Sequence, residues 1–315
     1  MADDPIPSLI AQIDPKRLTA DLFYLAKDPL PFRKVNFTLP GHTKSTLDEA
    51  DDFIQARLES LGFQVEKEAC PVQVFRRDQT KPLARQYSPP ASEDPWYTAY
   101  NLYAKKRGVA RPEEIVVVIS HKDSQSWIDS PGAYDNAIGT AANLEIARLL
   151  APVPLERSVW FVFCNEEHTP WTSVTAARRA RERGDNIVAV LNLDGLAGKS
   201  DADISAGNKT SVTVYVCPEG ERLAHLMAEV NETYGIGLMQ SAYRAAEPND
   251  DHGSYINEGF PAAVLNIGSY PYADPSYHSP NDVPELVDIE NAAMATQASL
   301  AAIVRIAGAG SDPAQ

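Results

Sequence analysis

Four apolar runs in this chain end in a carboxylate or an imidazole, and that pattern restricts the fold more than any other feature. Val116-Val117-Val118-Ile119 leads into Ser120-His121-Lys122-Asp123. Val159–Phe163 leads into Cys164-Asn165-Glu166-Glu167-His168, and Val188–Leu193 into Asp194-Gly195. Ala263–Ile267 opens a loop that reaches Tyr277-His278. Continuous β-branched and aromatic runs of this kind are strands buried on both faces. Strands are expected at 97–104, 115–119, 158–163, 187–193, 212–216 and 262–266. Helices are expected at 15–28, 44–61, 136–151, 173–183, 219–234 and 288–307. The alternation predicts an α/β chain with a largely parallel or mixed sheet flanked by helices. Open α/β sheets bind ligands beyond the carboxyl ends of their strands, so four such ends at one sheet edge point to a metal centre.

The donor types fit that reading. His, Asp and Glu without thiolate form the nitrogen and oxygen sets of many catalytic zinc sites. A pair of ions needs a bridging carboxylate with one oxygen for each, and Asp135, on the turn Pro131-Gly132-Ala133-Tyr134-Asp135-Asn136, offers one. Asp123 stands two residues after His121, on the same side of an extended segment, where it can fix the ring tautomer. Glu166 and Glu167 suit divided labour, one binding metal and the other taking a proton from water. Each residue alone has a plainer role: Asp135 a helix cap, Asp194-Gly195 a turn, Glu166-Glu167 a solvated pair. Four charged clusters at one edge do not arise from four independent plain roles.

Other residues are expected to be structural. His42 and His225 read as exposed or structural, and His168 as structural more often than as a substrate contact. His252, in Asp250-Asp251-His252, fits beside the site rather than on the metal. Cys70, Cys164 and Cys217 form no disulfide framework or zinc knuckle. The 315 residues carry a formal charge of −15, which excludes a nucleic-acid face, and the run Arg178–Arg183 reads as a solvated helix side. Two divalent cations would offset part of the excess. No apolar run is long enough to span a membrane, and the acidic start Met1-Ala2-Asp3-Asp4-Pro5 lacks the features of a secretory signal, so a cytoplasmic location is expected. One catalytic domain is expected over 1–315. Within it, the proline-rich 70–97 reads as a long surface loop, a lid or a subunit contact, and 308–315 as a flexible tail.

Taken together, His121-Lys122-Asp123, Pro131–Asn136, Asn165-Glu166-Glu167, Asn192-Leu193-Asp194 and Tyr277–Asp282 resemble the co-catalytic dizinc aminopeptidases, a family that includes glutamate-carboxypeptidase-like enzymes and glutaminyl cyclases. Asn101-Leu102-Tyr103-Ala104 is similar to the strand before the family's first histidine. The resemblance runs from about residue 15 to 308 and implies a three-layer α/β/α sandwich around a mixed sheet. It implies two zinc ions, one held by His121, Asp135 and Asp194, the other by His278, Asp135 and Glu167. It further implies Glu166 as general base, Asp123 as the orienter of His121, and Tyr277 as a donor to the developing oxyanion. Departures lie around the cleft: His168-Thr169-Pro170-Trp171 follows the glutamate pair, Tyr134 precedes Asp135, and Asp250-Asp251-His252 replaces a Ser-Asp-His.

The expected activity is removal of an N-terminal residue from a peptide by metal-activated water. Another amide hydrolase, a carboxypeptidase or deacylase, is the first rival. A carboxypeptidase requires a cationic clamp for a terminal carboxylate, for which Arg244 is the nearest candidate. A glutaminyl cyclase generally works with one zinc, which the complete ligand set disfavours. A non-enzymatic binding protein on the same fold typically loses ligands, and none is lost here.

Overall fold

The computed structural model describes residues 4–308. In chain order its principal elements are helices α1 (Ile6–Ile10), α2 (Pro15–Ala26) and α3 (Thr46–Ser60) and strands β1 (Val65–Val72), β2 (Arg76–Arg77), β3 (Tyr87–Ser88), β4 (Tyr97–Lys106) and β5 (Arg111–His121). Then follow α4 (Ile138–Leu150), β6 (Arg157–Cys164), α5 (Thr172–Arg183), β7 (Asn186–Leu193), α6 (Asp201–Ala206), β8 (Thr210–Tyr215) and α7 (Pro218–Thr233). The last four are β9 (Met239–Arg244), α8 (Asp250–Asn257), β10 (Ala263–Ile267) and α9 (Ile289–Ala307).

Eight strands form one mixed sheet in the order β1-β4-β6-β5-β7-β10-β8-β9. The central four, β6, β5, β7 and β10, are mutually parallel. Their carboxyl ends therefore share one edge. β4 and β1 extend the sheet antiparallel on one side, and β8 lies antiparallel to β10 on the other.

Successive side chains of a strand point to opposite faces, and the core follows that rule. Val116, Val118, Phe161 and Phe163 pack under α2, α4 and α9. Val117, Ile119, Val162 and Val190 pack under α5 and α8. Helices thus cover both faces, which gives the three-layer α/β/α sandwich. Local signals set the helix starts. Ser45 and Asp48 form a reciprocal capping box at α3, and Asp14 caps α2 ahead of Pro15.

The stretch 70–97 departs from the expected loop. β1 continues to Val72, burying Cys70 and Val72 while Pro71 between them is exposed. Pro71 disguised this alternation, yet proline is tolerated where β1 lies, at the sheet edge. The β2–β3 hairpin follows, and Gln73 pairs with Thr169, which ties the insert to the loop after β6. α1, α6 and α8 are too short for a periodic signal, and β9 is an exposed edge strand without an apolar face. Residues 309–315, most of the expected tail, lie outside the described residues.

Candidate metal centre

The shared edge brings His121, Asp135, Glu167, Asp194 and His278 together, each between 1% and 6% exposed. His121 is the last residue of β5, and Asp194 follows β7 directly, its N–H donating to Asn266 of β10. Glu167 lies three residues beyond β6, and His278 in the loop after β10. Asp135 sits between the two sides. His121 Nε2 is 3.0 Å from its Oδ1 and 3.4 Å from Asp194 Oδ1. His278 Nε2 is 3.1 Å from its Oδ2 and 3.2 Å from Glu167 Oε1. Asp135 thus offers one oxygen to each of two three-residue groups able to hold a metal ion.

Several observations test the fit. Donors around a tetrahedral zinc with bonds of roughly 2.0–2.2 Å stand about 3.3–3.6 Å apart, close to the separations seen. The opposite ring nitrogens are also engaged. His278 Nδ1 donates to the Ala84 carbonyl at 3.0 Å, which in the neutral ring leaves the Nε2 lone pair for a metal. His121 Nδ1 contacts Asp123 Oδ1 at 3.2 Å, with the same consequence. The carboxylates are crowded and buried. Burial, then the charge of Asp135, pushes Glu167 up to about 7, and burial pushes Asp194 up to about 6. Cations in the two groups would remove that penalty, so the residues fit a pair of divalent ions.

The model of peptidase family M28 matches residues 101–303, which takes in all five. The chain belongs to peptidase family M28. A probable zinc metalloprotease of Pyrenophora teres f. teres is 31% identical over 130 residues, 39% of this chain and 26% of the relative. A probable aminopeptidase of Saccharomyces cerevisiae is 25% identical over 223 residues, 66% of this chain and 57% of that protein. The chain therefore spans between a quarter and three-fifths of these relatives' length. Among solved structures, LapB of Legionella pneumophila shares the fold at TM-score 0.74 and 20% identity, covering 98% of this chain and 76% of its own.

Asp123 contacts more than His121. Its two oxygens also accept the N–H groups of Glu166 and Glu167 at 3.0 and 2.8 Å and contact His168 Nδ1 at 2.7 Å. Burial alone would raise its pKa, but His121 and His168 outweigh that and hold it well below the carboxylate range. His168 is fully buried, with Val35 N–H directed at its other nitrogen, so it backs the site and does not face a substrate. Glu166 lines the cavity, and one of its oxygens has no partner among the described residues. Burial, then Asp251 and Asp250, raises its pKa well above the usual range. Tyr277 also lines the cavity, stacked on His278 at 3.8 Å between ring centres.

Asp135 is not a helix cap, since α4 begins at Ile138, its cap position is Ala137 and no side chain caps it; the Asp135 backbone is non-helical at φ/ψ −123°/82°. The peptide bond that follows it is cis. Three residues without an assigned role at sequence level hold it. Asp282 accepts the N–H groups of Tyr134 and Asp135 at 2.7 and 3.1 Å. Gln125 Nε2 donates to Asp135 Oδ2 and Glu167 Oε1, both at 2.9 Å. Arg33, fully buried, donates to the carbonyls of Leu25, Lys122, Pro131 and Gly132. Gly132 has φ +59°, and a Cβ there would lie 2.5 Å from the Asp135 carbonyl oxygen, so only glycine fits this turn.

The remaining residues fall outside the cavity. His42 pairs with Glu49, and His225 is exposed on α7. His252 is buried with neither nitrogen bonded among the described residues, and burial pushes its pKa down to about 3. It is a neutral ring inside α8. All three cysteines are free. Arg244 is exposed at the end of β9 and donates to the Val216 carbonyl, away from the cavity.

Proposed function

We propose that the chain is a zinc-dependent aminopeptidase that hydrolyses the first peptide bond of a substrate with a free N-terminus. One observation carries the reading: Asp135 presents one oxygen to His121 and Asp194 and the other to His278 and Glu167, beside a Glu166 carboxyl that lines the same cavity. His121, Asp135 and Asp194 would hold one ion, and His278, Asp135 and Glu167 the other. When bound, such ions polarise a scissile carbonyl and acidify a water.

The side chains supply the rest of the chemistry. Glu166 accepts the proton of the attacking water and returns it to the departing amine. Burial and the neighbouring Asp251 and Asp250 raise its pKa, the direction that makes a carboxylate a stronger proton acceptor. The Tyr277 hydroxyl would donate to the developing oxyanion. Asp123, by holding the N–H groups of both glutamates, fixes base and ligand in one frame. The acidic wall formed by Glu166, Asp194 and Asp250 favours a substrate ammonium.

The test is turnover by zinc-loaded protein of peptides that are free or blocked at each end. An aminopeptidase requires the free N-terminus and loses activity on acetylation. Hydrolysis that persists on acetylated peptides would point to a carboxypeptidase or deacylase. Ring closure of an N-terminal glutamine without hydrolysis would point to a cyclase.

No helix of the described residues is long and apolar enough to cross a membrane.

A further inference from the structure

The cavity, of about 250 Å³, carries one guanidinium among its acids and aromatic rings. It belongs to Arg85, on the 3₁₀ turn Leu83–Arg85 inside the insert after β1. The insert carries four cations between Arg76 and Arg85. Arg76 is engaged by Asp94 and Glu93, Arg77 by the Gln86 side chain, and Lys81 by Asp78 and the Tyr87 carbonyl. The Arg85 guanidinium alone makes no ion pair or side-chain hydrogen bond with any described residue, and Arg85 is exposed and lines the cavity. Its backbone is fixed all the same, because the carbonyl of the preceding Ala84 accepts the His278 Nδ1 proton.

An unpaired arginine in a chain of charge −15 has many carboxylates it could have met. It lines a cleft rich in acids instead. We infer that Arg85 receives a carboxylate of the substrate, so that the site selects short peptides that are cationic at one end and anionic at the other. This rests on the aminopeptidase reading. The acids Glu166 and Asp250 would attract the ammonium, leaving the guanidinium for a carboxylate beyond the scissile bond. Guanidinium matches carboxylate with two parallel hydrogen bonds. The cavity volume agrees, since it falls below the roughly 300–1,000 Å³ of ordinary small-ligand sites. The carboxylate can be the C-terminus of a dipeptide or an acidic side chain in second position.

The experiment compares leucyl-alanine with leucyl-alanine amide, and leucyl-glutamate amide with leucyl-glutamine amide, on zinc-loaded protein and on Arg85→Met. The free carboxylate should raise kcat/KM roughly tenfold or more, mainly through KM. Arg85→Met should bring that ratio close to one, and Arg85→Lys should keep part of it. Added salt should erode the ratio, because the guanidinium is exposed. An effect confined to the first pair assigns the contact to a C-terminus, and one confined to the second to an acidic side chain. Ratios near one in the parent protein, or unchanged in Arg85→Met, overturn the inference. The same pairs are titrated calorimetrically against Glu166→Gln, which reads the contact without turnover. If nothing is hydrolysed but the carboxylate still strengthens binding through Arg85, the aminopeptidase reading falls and the carboxylate contact stands.

Discussion

The two halves of the candidate metal centre are built differently. His121 and Asp194 stand on or directly after central parallel strands, and backbone hydrogen bonds of the sheet fix their positions. Glu167 and His278 stand on loops. His278 has φ +53° and is held by Ala84 of the insert and by stacking on Tyr277. The strand-borne half inherits rigidity from the core. The loop-borne half depends on contacts between peripheral segments, which open at lower free energy than core strands. Asp135 belongs to both, so the halves are chemically joined while being mechanically unequal.

The largest expected effect tests the joint. Asp135→Asn removes one of the two oxygens and the charge, so zinc content should fall for both halves and turnover by roughly 10³-fold or more, since metal polarisation supplies several kcal/mol. Elemental analysis and kinetics check it. Two tightly held ions with full activity in this variant would mean that the halves do not share Asp135.

The adjacent glutamates come next. Glu166→Gln should lower turnover by about 10²–10⁴-fold with metal content unchanged, because the amide cannot accept a proton. Glu167→Gln should lower metal content first, and excess zinc should restore part of its activity but none of the Glu166 variant's. Reversed behaviour would exchange the roles of base and ligand.

A smaller effect measures the inequality itself. Under limiting chelator one ion should leave ten- to hundredfold faster than the other, the range over which outer contacts tune a metal site. His278→Ala should remove the fast phase and leave the slow one. If His121→Ala removes the fast phase instead, the strand-borne half is the weaker.

The same contrast explains what the sequence revealed. The strand-borne residues were legible because a buried apolar run marks its own end, and an acid or imidazole at that end is conspicuous. The loop-borne His278 lies eleven residues past β10, so the strand end points only to the loop that reaches it, and its place among the ligands came from the resemblance to a known family. The supports were hidden for chemical reasons. Arg33 binds four carbonyls, and no side-chain pattern records a backbone partner. Gln125 is uncharged and reads as an ordinary polar residue. The sequence offers Arg244 as the nearest candidate for a cationic clamp, yet the fold carries it to an edge strand and brings Arg85 to the cavity from upstream. The paired helices and central strands emerged from periodicity, whereas α8 and β9 did not, being too short or too polar.

The smallest effect is a pH dependence confined to the strand-borne half. Lys122, directly after His121, is fully buried and pairs with Asp51 at 2.9 Å and Asn165 Oδ1 at 2.7 Å. It therefore ties the end of β5 to the residue before Glu166. Burial pushes Asp51 up to about 6, and Lys122 only partly opposes it. An acid raised on folding binds more protons in the folded state between its unfolded value, about 3.9, and 6. Its contribution to stability is present in full below that window and is lost as pH rises through it, with a slope of up to about 1.4 kcal/mol per pH unit. Replacing both partners with apolar residues, Asp51→Leu with Lys122→Met, avoids stranding a single buried charge. Denaturant midpoints from pH 4 to 6 should show that component in the parent and not in the double variant. Release of the loop-borne ion should be the same in both. A double variant that keeps the full slope would assign the titration to other acids, and one that also loosens the loop-borne ion would show that the two halves are mechanically coupled through Asn165.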